Sequence, residues 1–185
     1  MRSQKPAEKA LDEYLVASAI VGDRKAMSLL VQRWHGKLLA HAWRLIGDPE
    51  AAKDAVQDGW SEIIRGLPRL MDAGAFPAWA YRIVSRRCAR LIGSARQDRR
   101  LREAIEQEPK ADSCETSWTG LDVEKVRLAM TSLPGEQRAA IALFHLEEMS
   151  VAEVAVALDV PVGTAKTRLM NARRKLRAAL EGDVR

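Results

Sequence analysis

Between Gly163 and Leu180 stand six lysines and arginines and no acid. At helical spacing such a set makes a cationic edge that can hold phosphate and meet base edges. Lys166, Thr167, Met170 and Asn171 come early. Lysine bonds guanine, the amide of asparagine suits adenine, and threonine or methionine can touch a thymine methyl group. Arg173, Arg174 and Arg177 follow, and guanidinium groups there suit phosphate, which positions a protein on DNA without specifying sequence. The alternative is an ordinary amphipathic helix with a solvated basic face.

A second set is acidic. Glu50, Asp54, Gln57, Asp58 and Ser61 share one side of a helical repeat, and Asp54 and Asp58, one turn apart, repel each other. This face either stays solvated or meets a basic partner. Paired carboxylates can also do acid-base chemistry. No third catalytic group, glycine-rich phosphate loop or nucleophile motif accompanies them, so no enzymatic activity is expected.

A third set runs through Phe76, Trp79, Arg82, Arg86, Arg87 and Arg90. Aromatic rings interleaved with arginines hold single-stranded nucleic acid by stacking and by charge, although Phe76 and Trp79 equally suit a core. Cys88 and Cys114 lack a CxxC spacing, and His35 and His41 would point to different faces of a helix. Neither a metal site nor a disulfide is expected.

Helices must position all three sets. Ser150-Val151-Ala152-Glu153 is a capping box, which starts a helix at Ser150. Val154, Ala155 and Leu158 continue an apolar stripe until Pro161 disfavours the helical region at Val160 and forces a turn. A second helix then starts near Pro161 or Val162, with Ala165, Leu169, Ala172, Leu176 and Leu180 inside. That is a helix-turn-helix, whose second helix enters the major groove of DNA. Upstream, an amphipathic helix over Leu11 to Val21 stops at Gly22. Asp23 caps a longer one that ends at Gly47. Asp48-Pro49 starts a third, which runs to about Arg65. No period-two strand pattern appears, so the expected class is all-α.

The chain of 185 residues, 47% apolar and 30% charged, has the composition of a globular protein. Its net charge of +5 conceals a segregation. Arg82 to Arg102 holds eight arginines against Asp98 alone, whereas Glu103 to Glu124 holds seven acids against Lys110 alone. The part from Glu103 to Gly120, with Pro109, Ser113, Thr116, Ser117 and Thr119, reads as a flexible linker between two small helical domains. Trp118 is either a docking anchor in it or the first core residue of the second domain. The expected boundaries are 8–101, 102–120 for the linker and 121–182. With no apolar run fit to span a bilayer and no signal-peptide core, a cytoplasmic location is expected.

Three motifs together resemble the extracytoplasmic function (ECF) sigma factors of the sigma-70 family. Asp54-Ala55-Val56-Gln57-Asp58-Gly59-Trp60 is similar to region 2.2, and Phe76-Pro77-Ala78-Trp79-Ala80-Tyr81-Arg82-Ile83 to regions 2.3 and 2.4. Leu133-Pro134-Gly135-Glu136-Gln137-Arg138 and Pro161-Val162-Gly163-Thr164-Ala165-Lys166-Thr167-Arg168-Leu169 are similar to region 4. The resemblance implies a region 2 bundle and a region 4 helix-turn-helix. It implies that Asp54, Gln57 and Asp58 bind the β′ clamp helices of core RNA polymerase, with the β flap a further contact. Phe76, Trp79, Arg82, Arg86, Arg87 and Arg90 would hold the melted −10 strand. Thr164, Lys166, Thr167, Arg168, Met170, Asn171, Arg173 and Arg174 would read −35 duplex DNA. An anti-sigma partner is implied, and one that spans a membrane would hold the chain at its inner face. No cofactor and no small-molecule substrate are implied. Arg86 stands where the family usually has Asn, Asp159 where its turn commonly has Gly, and Asn171 where it usually has Arg. A reading from another class is a stand-alone helix-turn-helix regulator with an N-terminal dimerisation or sensor domain.

Overall fold

Local capping sets the helix boundaries. The structure, a computed structural model, describes residues 4–103, 126 and 128–181. Its first helix, α1 (Gln4–Ile20), begins about two turns before the expected Leu11, because Pro6 is tolerated in a first turn. Helix α2 (Arg24–Ile46) opens on Asp23, whose carboxylate accepts from the amides of Lys25 and Ala26 at 2.8 and 3.2 Å. It closes on Gly47, at a φ of 82°, whose amide donates to the Trp43 carbonyl. Helix α3 (Pro49–Gly66) is capped by Asp48, which accepts from the Ala51 amide at 2.8 Å. Two 3₁₀ turns, Leu67–Arg69 and Ala73–Ala75, then lead into the long helix α4 (Phe76–Glu103).

After the undescribed stretch come α5 (Gly135–His145), α6 (Val151–Ala157) and α7 (Val162–Glu181). Both halves of the capping box at Ser150 and Glu153 form, at 3.2 and 2.7 Å. The fold is all-α, as expected, with no strand among the described residues. Most of the linker, with Cys114 and Trp118, lies outside them.

In the first bundle α2 packs on α1, α3 and α4. Leu30, Trp34 and Leu38 of α2 meet Val56 and Ile63 of α3 and Phe76, Tyr81 and Val84 of α4 in its core, all of them buried. Trp34 sits edge-on to Phe76 at 5.3 Å and to Tyr81 at 5.8 Å between ring centroids. Helices α5 to α7 form the second group, around Leu143, Val154, Leu158, Ala165 and Leu169.

The two groups are not held apart. Helix α4 packs on α6 and α2 on α5, and their buried residues join into one continuous core. Gly135 shows how closely they approach: a Cβ there would lie 2.7 Å from the Leu45 carbonyl oxygen and 2.9 Å from that of Arg44.

Candidate nucleic-acid interface

The helix-turn-helix starts from its capping box and turns at Asp159. That residue has a φ of 54°, in the left-handed region that aspartate tolerates better than most residues. The Val160 amide returns to the Ala155 carbonyl at 3.0 Å and closes the turn. Helix α7 then buries Ala165, Leu169 and Ala172, which leaves Thr164, Lys166, Thr167, Met170, Arg173 and Arg174 exposed. Asn171 is half-buried at the edge of this face. A groove of about 430 Å³ runs along it, with Phe144 and Val151 beside Lys166, Met170, Arg173 and Arg174. The Arg173 guanidinium stacks over the Phe144 ring at 4.9 Å, which fixes one cation on an apolar base.

Two of the expected readers are committed locally. The Thr167 hydroxyl donates to the Gly163 carbonyl at 3.0 Å. Arg168 turns away from the outer face and pairs with Glu136 of α5 at 2.7 Å.

On α4 the expected set divides. Phe76 is wholly inside the core, with no ring face open to a base. Trp79 is half-buried and lines a groove of about 310 Å³ with Arg65, Arg69, Arg82 and Arg86. Four cations around an indole are the chemistry that single-stranded nucleic acid needs. Arg65 and Arg69 were not singled out from the sequence. The signal was the Leu67-Pro68 break, which brings the end of α3 back alongside α4. Arg90 is exposed further along α4.

Arg87 faces the other way. It pairs with Glu62 at 2.7 Å and reaches Asp58 at 3.5 Å. Among the described residues the acidic face thus meets Arg87 from α4 and, at Glu50, its own helix's Lys53 at 2.7 Å, while Asp54, Gln57 and Asp58 stay exposed on α3.

Where the two groups meet, the groups are polar and buried. The Ser85 hydroxyl donates to the Ala157 carbonyl at 2.6 Å, so its oxygen accepts from His41 Nε2 at 2.8 Å. This places the ring proton on Nε2. Burial, with the nearby Arg44 charge, lowers the His41 pKa to about 3, so the ring is neutral. Burial also lowers the pKa of Arg44, and burial and then Arg44 lower that of Arg138, whose guanidinium lies over the Trp43 ring at 5.7 Å. Lys37 pairs with Glu147 across the same seam at 3.3 Å. Burial pushes the Cys88 thiol up to about 12, an unreactive state. Among the described residues no group of three His, Cys, Asp or Glu side chains could hold a metal, and no helix is long and apolar enough to cross a membrane.

The sigma-70 region 2 family profile matches residues 30–98, and the sigma-70 region 4 profile matches residues 124–176. Over 167 residues the chain is 32% identical to the ECF RNA polymerase sigma factor SigM of Mycobacterium tuberculosis, across 89% of this chain and 82% of that protein. Over 181 residues it is 27% identical to the RNA polymerase sigma-H factor of Pseudomonas aeruginosa, across 92% and 94%. Among solved structures it is similar in fold to the sigma factor RpoE in complex with the anti-sigma factor NepR from Bartonella quintana. The TM-score is 0.69 at 22% identity, over 85% of this chain and 98% of that one. It is also similar to CnrH in complex with the cytosolic domain of CnrY, with a TM-score of 0.58 at 29% identity over 94% and 99%.

Proposed function

The chain belongs to the sigma-70 family, as one of its ECF members, and on that premise we propose that it binds core RNA polymerase and directs promoter-specific initiation under an anti-sigma partner. It makes no bonds itself; RNA synthesis belongs to the polymerase it serves, in the cytoplasm. Residues 8–101 act on core polymerase and the −10 element, residues 121–182 act on the −35 element, and 102–120 link them.

Within that division, Asp54, Gln57 and Asp58 dock on a basic surface of the polymerase clamp. Trp79, Arg82, Arg86 and Arg90, joined by Arg65 and Arg69, hold the melted −10 strand. Lys166, Thr167, Met170 and Asn171 read −35 duplex, while Arg173 and Arg174 grip its phosphates. Phe76 contributes as the base on which Trp34 and α4 are packed, and Arg168 as a support for α7. Thr164, exposed at the start of α7, meets the first phosphate.

One observation carries the reading. An exposed acidic face and a tryptophan-arginine groove occupy neighbouring helices of one bundle, in a chain that also presents a cationic helix-turn-helix. The test is transcription by purified core polymerase, with and without this chain, on a promoter library with start sites sequenced. New starts that need both components support the proposal. A stand-alone regulator would alter starts only when another initiation factor is supplied.

A further inference from the structure

We propose that Asp159 is a latch, holding the free chain in a closed form with the helix-turn-helix folded back on the arginine face of α4. One carboxylate spans two arginines: Oδ1 accepts from Arg82 Nε at 2.8 Å, and Oδ2 lies 3.1 Å from Arg86 Nε. The same residue has a left-handed φ of 54°, where glycine would be the unstrained choice. A turn needs no carboxylate at that point. Here the carboxylate is what reaches the other half of the molecule.

The seam under the latch combines the shared apolar core with buried polar groups that opening would hydrate. Ser85 and Ala157 share a single short hydrogen bond across it. Around them His41 Nδ1, Trp43 Nε1, Gln137 Oε1 and Arg138 Nε are buried without a hydrogen-bond partner among the described residues. An unmade bond at a buried polar group is a cost that the closed form carries. Water reaches them when the halves separate, which offsets part of the cost of exposing the shared core. The latch ion pairs are half exposed, with Arg82, Arg86 and Asp159 side chains 45%, 52% and 34% accessible, so competing phosphates can reach them.

Opening frees Arg82 and Arg86 for a negatively charged strand. Only this last step rests on the promoter reading; the latch itself rests on contacts within the chain.

The test follows opening without any DNA. Two dyes, attached through unnatural amino acids at the exposed positions His35 of α2 and Ala178 of α7, report the distance between the halves of the full chain by single-molecule energy transfer. Asp159→Asn, which keeps a residue tolerant of the left-handed region, should lower the closed-to-open ratio about fivefold, the size set by losing exposed ion pairs. Asp159→Gly, which also relieves the backbone, should do the same. Salt near 1 M, where screening acts within about 3 Å, should lower the closed-to-open ratio of the parent chain more than that of the variants, which keep the Lys37–Glu147 pair across the seam. Identical distance distributions in all three chains overturn the latch, as does opening that accompanies lost helix content by circular dichroism. Neither polymerase nor DNA enters this measurement. Its failure leaves the promoter assignment standing, and absent promoter-directed starts leave the latch standing.

Discussion

Arg168 Nη2 lies 2.7 Å from Glu136 Oε2, which ties α7 to α5 beneath the face that carries Lys166 and Arg174. The arginine side chain is only 19% exposed, so it stands between helices while its neighbours point outward. Supports and readers thus alternate along one short stretch of sequence, and mutation should separate them.

Arg168→Ala is expected to weaken promoter binding equally at every −35 sequence, with a coupling to Glu136→Ala of about 0.5–1 kcal/mol in a stability double-mutant cycle. Asn171→Ala should instead change preference at one −35 position by about 1–3 kcal/mol. Binding selections on randomised duplexes distinguish the two. A single-base preference change in the Arg168 variant would make it a reader.

Asp54→Lys should abolish association with core polymerase, measured by gel filtration of the mixture, with helix content unchanged. The residue is exposed on α3, so unfolding is not the expected route. Normal association in this variant would remove the acidic face from the docking surface.

Arg65→Ala and Arg69→Ala should each weaken binding of polymerase holoenzyme to a −10 single strand without sequence preference. Each should also reduce the salt slope of that binding by about 1. An unchanged slope would mean that the groove beside Trp79 does not follow the backbone of the strand.

His41 sets a pH dependence whose sign follows from its neutral form. Its pKa in the folded chain, about 3, lies below the ordinary value of 6.5. The stability it contributes is complete above the ordinary value and is lost as the pH falls from there toward 3. At pH 5 the loss should be about 2 kcal/mol relative to pH 7. Denaturant unfolding at the two pH values measures it, and His41→Gln should remove that part of the difference. An equal pH difference in the variant would assign the effect to other groups.

Gly135→Ala puts a methyl group 2.7 Å from a backbone oxygen that cannot turn aside. The α2 to α5 contact should weaken by about 1–3 kcal/mol, read as earlier unfolding in the same denaturant series. An unchanged midpoint would show that the seam yields at this point without cost.

The starts of the side-chain-capped helices were legible in the sequence because caps are local. Asp23, Asp48 and Ser150 each hydrogen-bond an amide two or three residues on, a range that a sequence motif spans. The outward set on α7 was legible for a related reason: a 3.6-residue repeat separates Lys166 and Arg173 from Ala165 and Ala172. What periodicity does not carry is the choice of partner among like charges. Arg82, Arg86 and Arg87 look alike in the sequence, yet two meet Asp159 and the third meets Glu62 and Asp58. Those pairs are closed by tertiary packing over long sequence separations. Trp79 and Phe76, open between core and stacking in the sequence, divide for the same reason: Phe76 faces Trp34, and Trp79 sits one turn nearer the arginines.

The shared core also has a timetable. The described part of helix α4 ends at Glu103, but the carbonyl that Ser85 meets belongs to Ala157 of α6, and the carboxylate that Arg82 meets belongs to Asp159 just after it. At about 5–20 residues per second, a ribosome leaves this face of α4 bare for roughly 3–11 s. For that interval the nascent first half displays its arginine face with no Asp159 to occupy it, and a chaperone, a nucleic acid or a polymerase can reach the newborn chain before its own second half does.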